Sequence, residues 1–258
     1  MGKLYMSCIE GFHSSVFYGA TIKAPKMKTI GLIGGMSWES TSSYYSLINR
    51  TVNERLGKNH SASCLIYSFN FQEIEDLQYA GKWDELEARM LYAADALKKA
   101  GADGIAVCTN TMHKVVDHIE ELTGLPLLHI ADAVGEEIIN HRDKTVGLLG
   151  TKFTMEEDFY RSRLEQKYSL TVVVPERDER LKINQIIYEE LVKGIIKGES
   201  RNTYIEIMDK MKEESGMEGV VLGCTEIGLL VKEYDRYLYD STIIHAKKIV
   251  DFCLGIEN

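Results

Sequence analysis

The chain has 258 residues, 45% hydrophobic and 27% charged, with a formal net charge of −9. This suits one large globular domain or two lobes, and without a basic cluster interleaved with aromatics it excludes nucleic acid as a partner. No apolar run approaches the ~18 residues of a transmembrane helix, and five cysteines without CxxC spacing make neither a disulfide framework nor a zinc site; reduced thiols in a cytoplasmic setting are expected.

Residues 1–26 contain the small cluster Val16-Phe17-Tyr18-Gly19-Ala20 but no basic start followed by an apolar core, so they do not read as a signal peptide. Regular patterning begins at Met27-Lys28-Thr29-Ile30. Met27 is the expected natural start, and residues 1–26 are expected to lie outside the fold. From there short apolar runs alternate with amphipathic stretches. Strands are predicted at 29–33, 64–68, 104–108, 127–130, 145–149, 170–174, 220–223 and 237–239. Helices are predicted at 41–55, 82–100, 113–122, 155–167, 181–197 and 202–215. Continuous apolar strands between helices describe parallel sheets covered on both faces.

The pattern repeats. Lys28-Thr29-Ile30-Gly31-Leu32-Ile33-Gly34 returns as Lys144-Thr145-Val146-Gly147-Leu148-Leu149-Gly150, and Gly104-Ile105-Ala106-Val107-Cys108-Thr109 resembles Gly219-Val220-Val221-Leu222-Gly223-Cys224. Lys28 to Thr109 is 81 positions and Lys144 to Cys224 is 80. The expected fold is therefore α/β with two pseudo-symmetric duplicated lobes, each a parallel sheet flanked by helices. Residues 27–124 with 240–258 form one lobe and 125–239 the other. Ligands of parallel sheets bind beyond the carboxyl ends of strands. The active site is thus expected in the cleft between lobes, with Thr109-Asn110-Thr111 facing Cys224-Thr225-Glu226.

Most cysteines are buried and structural. Cys224 differs by ending a strand before two polar residues, where the start of a helix would lower a thiol pKa from its usual ~8.5. Gly223 before it allows a close backbone approach. The repeat alignment pairs Gly104 with Gly219, and so Thr109, not Cys108, with Cys224. Cys108 is then a core thiol, and it remains the alternative. Asn110, Thr111, Thr225 and Glu226 offer donors and an acceptor for a carboxylate and an ammonium group, or they cap helices. Gly34-Gly35-Met36-Ser37 and Gly150-Thr151 lack the G-x-G-x-x-G spacing of a nucleotide site, and read instead as ligand walls of backbone amides. The histidines show no metal-binding spacing. Lys182 is either a solvated helix residue or a carboxylate anchor.

Met27 to Met36, Cys108-Thr109-Asn110-Thr111-Met112-His113 and Gly223-Cys224-Thr225-Glu226-Ile227-Gly228-Leu229-Leu230 together resemble the aspartate/glutamate racemase superfamily. They look closest to its L-aspartate/glutamate-specific branch, over about residues 27 to 255. The resemblance implies racemisation of L-aspartate or L-glutamate without pyridoxal phosphate or any other cofactor and without metal, and a possible homodimer. In that family two cysteines flank the substrate α-carbon. Here the first motif, usually Cys-Asn-Thr, reads Thr109-Asn110-Thr111. A hydroxyl is a far weaker acid and base than a thiol, so the resemblance implies abstraction from the L-isomer by Cys224, with Thr109 or a water opposite. Met36, Gln78, Thr151 and Lys182 join Asn110, Thr111, Thr225 and Glu226 as the implied substrate contacts. Single-cysteine relatives resemble decarboxylases and maleate cis-trans isomerases, so those reactions stay open beside a non-catalytic amino-acid-binding role.

Overall fold

The computed structural model describes residues 27–256, so the expectation for residues 1–26 lies outside the described part of the chain. The chain runs β1 (Ile30–Gly34), α1 (Trp38–Leu56), β2 (Cys64–Ser68), α2 (Phe71–Tyr79), α3 (Trp83–Lys99), β3 (Gly104–Val107), α4 (Ile119–Thr123), β4 (Leu127–Leu128) and α5 (Ile130–His141). It continues as β5 (Thr145–Gly150), α6 (Lys152–Glu156), α7 (Asp158–Tyr168), β6 (Thr171–Val173), α8 (Arg177–Glu189), α9 (Gly198–Ser215), β7 (Gly219–Gly223), α10 (Ile227–Leu230), β8 (Tyr237–Asp240) and α11 (Ser241–Leu254). Two four-stranded parallel sheets result, ordered β2-β1-β3-β4 and β6-β5-β7-β8.

The sheets are copies in register as well as in order. Ile33 pairs with Val107 in the first, and the matched Leu149 pairs with Leu222 in the second. Two residues beyond those pairs stand Thr109 and Cys224, so the alignment of the repeats has a structural basis. β1 and β3 are buried along their whole length, as is β7, which explains their unbroken apolar sequence.

The final helix of each half crosses to the other. α5 follows β4, yet Ile130, Val134 and Ile138 pack with Val146, Leu148 and Tyr160 of the second half. α11 follows β8, and Ala246, Ile249 and Val250 pack with Ile30, Leu32 and Tyr44 of the first. Burying one such aliphatic side chain contributes about 1.5–3 kcal/mol, so the crossings bind the halves together. His245 on α11 adds a polar tie. Its Nε2–H donates to the Leu128 carbonyl at 2.6 Å, and its Nδ1 accepts from the Tyr44 hydroxyl at 2.9 Å.

Several element readings change. The strand at 127–130 stops at Leu128, because the His129 side chain accepts from the Ala131 amide and starts α5. The helix at 113–122 is a 3-10 turn, Thr111–Val115, followed by the short α4. The helix at 155–167 breaks at Glu157, whose backbone is extended. The helix at 181–197 begins earlier, at Arg177, where Glu176 and Glu179 form a capping box, and ends at Glu189. α2 and α5, together with α11, were not predicted.

Two glycines shape the strand ends. Gly35 has φ +85°, and a Cβ there would lie 2.2 Å from the Phe69 carbonyl oxygen, so only glycine fits. At Gly223 a Cβ would meet the Leu149 carbonyl oxygen at 2.9 Å. The matched position in the first half is Cys108, whose side chain turns into the core with Ile30, Leu32 and Tyr44.

Candidate active site

β1, β3, β5 and β7 end at one side of the molecule, and a cleft between the halves opens there. It holds about 430 Å³ of empty space including its mouth. Thr109, Asn110 and Thr111 line it from the first half; Cys224, Thr225 and Glu226 line it from the second. Met36, Gln78 and Thr151 complete the expected residues that reach it. Lys182 does not. It is exposed on α8, in a separate groove with Asp178, Glu179 and Lys210. Cys108 is fully buried away from the cleft.

Ser37 and Gly223, read in the sequence as part of a ligand wall and as a close-approach glycine, also line the cleft. Phe71, Ile187, Tyr188 and Val192 line it as well and were not singled out; they arrive through long-range packing of α2, α8 and the turn after α8.

Polar groups pair across the cleft. The Thr111 and Thr151 hydroxyls are 3.0 Å apart. Asn110 Nδ2 donates to Ser241 Oγ at 3.1 Å, while its Oδ1 is buried without a partner among the described residues. Ser37 Oγ donates to Glu226 Oε1 at 2.8 Å. The other carboxylate oxygen, Oε2, accepts from Cys224 Sγ at 3.1 Å and from the Thr225 hydroxyl. Gln78 Nε2 faces Met112 Sδ at 3.1 Å.

The electrostatics of Cys224 differ from the expectation of a lowered pKa. Burial pushes its thiol well above the usual range, and the adjacent Glu226 charge pushes the same way. The amides of Glu226 and Ile227 oppose this but do not prevail. α10 is only one turn long and starts beyond a carboxylate, so its dipole is outweighed. The thiol is held protonated, with a carboxylate as its hydrogen-bond acceptor. Among the described residues lining the cleft there is no Lys, Arg or His, and Glu226 is the only Asp or Glu.

Fold and site together define a duplicated α/β protein with one ligand cleft, a thiol on one wall and a hydroxyl on the other. The chain belongs to the Asp/Glu/hydantoin racemase family, whose model matches residues 33–249. A candidate Asp/Glu racemase from Yersinia pestis is 49% identical, with a TM-score of 0.83, over 88% of this chain and all of that one. An aspartate racemase homologue from Pyrococcus horikoshii is 39% identical, with a TM-score of 0.78, over 88% of this chain and 99% of that one. The broad specificity amino-acid racemase of Bacillus subtilis is 28% identical over 139 residues, 53% of this chain. The chain spans about three fifths of the length of the curated relatives it matches. Among the described residues, no helix is long and apolar enough to cross a membrane.

Proposed function

We propose that the cleft racemises a free acidic amino acid, L-aspartate or L-glutamate, by proton transfer on both faces of the α-carbon. The observation that carries this reading is the placement of Thr109 and Cys224 at matched strand ends on opposite walls of one cleft. Cys224, once deprotonated, takes the α-proton from the L-isomer. Glu226, already hydrogen-bonded to the thiol, is the group that accepts the thiol proton beforehand. The Thr109 hydroxyl delivers a proton to the other face and is reprotonated from water, Glu226 gives up the proton it took to that water, and Cys224 keeps the substrate's former α-proton, so all three groups return to their starting states. Asn110 Oδ1, without a partner among the described residues, accepts from the substrate ammonium, and the Thr111 and Thr151 hydroxyls exchange their mutual contact for the α-carboxylate. The test is proton NMR of L-aspartate and L-glutamate in deuterium oxide. Loss of the α-proton signal and growth of the D-isomer are expected; an unchanged α-proton signal with both substrates would overturn the reading.

One observation favours a second substrate class. The cleft lacks a cation to meet a side-chain carboxylate, and Met36, Phe71, Ile187 and Val192 give it apolar walls beside Gln78 and Tyr188. Burying an unpaired carboxylate there is costly. Uncharged side chains suit these walls, so L-glutamine and L-methionine belong in the same NMR assay. If they exchange more slowly than both acidic substrates, this second class is ruled out.

A further inference from the structure

We infer that Ser37 is a positioning residue that sets the Glu226 carboxylate against the Cys224 thiol when the two halves close. The inference rests on the proposed proton transfer and adds a residue to it.

The terminal torsion of a glutamate is broad and roughly two-fold, so nothing intrinsic to Glu226 fixes the plane of its carboxylate. The neighbours fix it. Oε2 accepts from Cys224 Sγ and from the Thr225 hydroxyl, both within the second half. Oε1 accepts from Ser37 Oγ, which comes from the first half, 189 positions away in sequence. Ser37 and Glu226 are each 5% exposed, so water does not readily replace this contact.

The Ser37 hydroxyl is itself constrained. It caps α1, accepting from the Ser40 amide at 3.2 Å. With that amide on its lone pair, its single hydrogen is directed to Glu226. The cap of a helix in one half is thereby the donor to a carboxylate in the other. When the cleft opens, Ser37 and Glu226 separate, and the carboxylate loses the contact that holds Oε2 toward the thiol. Closure therefore completes the thiol–carboxylate pair.

The direction of the effect on proton affinity follows. Held against the thiol, the Glu226 carboxylate helps to keep Cys224 protonated, through its charge and as hydrogen-bond acceptor. Without the Ser37 contact the carboxylate is free to turn away, and the thiol loses its proton at lower pH. The other titratable groups felt by the Cys224 thiol are Tyr188 from α8 and Tyr204 from α9, and both are neutral in the working range because burial raises them further. Neither supplies a competing charge.

The test reads thiol reactivity and catalysis separately. Iodoacetamide alkylation of Cys224 is followed against pH by peptide mass spectrometry in wild-type protein and in Ser37→Ala, Ser37→Gly and Ser37→Thr. Glycine is tolerated at a helix N-cap, so Ser37→Gly removes the hydroxyl with little harm to α1 and covers the case where Ser37→Ala fails to fold. The alkylation midpoint is expected to fall by about one pH unit in both hydroxyl-free variants, and to return in Ser37→Thr. In the α-proton exchange assay kcat is expected to fall about tenfold with KM changed less than about twofold. Placing Ser37→Gly in a Glu226→Gln background is expected to have little further effect on kcat. An unchanged alkylation midpoint in Ser37→Gly overturns the inference, as does an undiminished kcat effect in the Glu226→Gln background. Should wild-type protein exchange no amino acid, the catalytic reading fails, while the alkylation profile still decides the role of Ser37.

Discussion

Replacing Thr109 separates the two faces of the proposed reaction. In that reaction its hydroxyl is the group opposite Cys224; the neighbouring thiol, Cys108, is sealed in the core, and the other hydroxyls on that side, Ser37 and Thr111, are paired with Glu226 and Thr151, so Thr109→Ala removes the proposed proton donor to the second face. Positioned general acid catalysis is worth about 10²–10⁴-fold, and inversion is expected to fall by that factor. In the proposed reaction, abstraction from the L-isomer needs only Cys224 and Glu226, whose hydrogen bond does not involve Thr109. The L-isomer should still exchange its α-proton for deuterium, within a few-fold of wild type. Thr109→Cys places a group with a pKa of about 8.5 where the hydroxyl, comparable to water at about 15.7, stood, and inversion should rise. The assay combines the α-proton NMR signal with chiral chromatography of the same samples. Equal loss of exchange and inversion in Thr109→Ala would refute the assignment of Thr109 to the second face. A Thr109→Cys variant that loses both, with Cys108→Ala inactive, would instead place Cys108 at the substrate.

Two further outcomes follow from burial. Cys108→Ala removes a fully buried sulfur from the cluster around Ile30 and Tyr44; chemical denaturation should show about 1 kcal/mol less stability, with exchange at the wild-type rate. The histidines make a pH prediction. Burial pushes His245 down to about 4; burial, helped by the Arg163 charge, pushes His129 down to about 2; and burial, helped by His129 and His245, depresses His113 well below its usual range. Each is neutral in the folded state and protonates near pH 6.5 when unfolded, so the unfolded state binds more protons below that pH. Stability should fall as pH drops from about 6.5 toward 4, by about 1.4 kcal/mol per pH unit for each histidine. Equal denaturation midpoints at pH 7.5 and pH 5 would contradict this.

The sequence carried the duplication openly, because strands buried on both faces are apolar throughout and their repeat survives in Lys28–Gly34 and Lys144–Gly150. That repeat alone distinguished Thr109 from Cys108. Helix starts were harder to read where a side chain, rather than hydrophobic period, sets the boundary: His129 opens α5 and Glu176 opens α8. Lys182 shows a different limit. The buried face of α8 carries Ile183, Ile186 and Ile187, and the lysine stands beside that face in solvent, a placement that local pattern does not report. The raised pKa of Cys224 was also hidden, since a strand end followed by a helix looks alike whether the thiol is exposed or sealed beside a carboxylate. Phe71, Tyr188 and Val192 reach the cleft only through the packing of distant segments.

Polar side chains at the cleft already pair with one another: Ser37 with Glu226, Thr111 with Thr151, and Asn110 Nδ2 with Ser241, while Asn110 Oδ1 has no partner among the described residues. A substrate that takes up these groups exchanges contacts with them. Around the same residues the aromatic rings of Tyr79 and Trp83 from the first half meet Phe153 and Tyr188 from the second, at centroid distances of 5.3 to 6.3 Å. Binding is then largely an exchange of hydrogen bonds, and its net contribution is small. Any closure over the substrate would re-form the aromatic contacts and exclude water, strengthening the remaining electrostatic interactions. A buried thiol with a raised pKa is a poor resting nucleophile but a strong base once deprotonated. In the proposed reaction that suits removal of a weakly acidic α-proton, provided the carboxylate beside it is held in place.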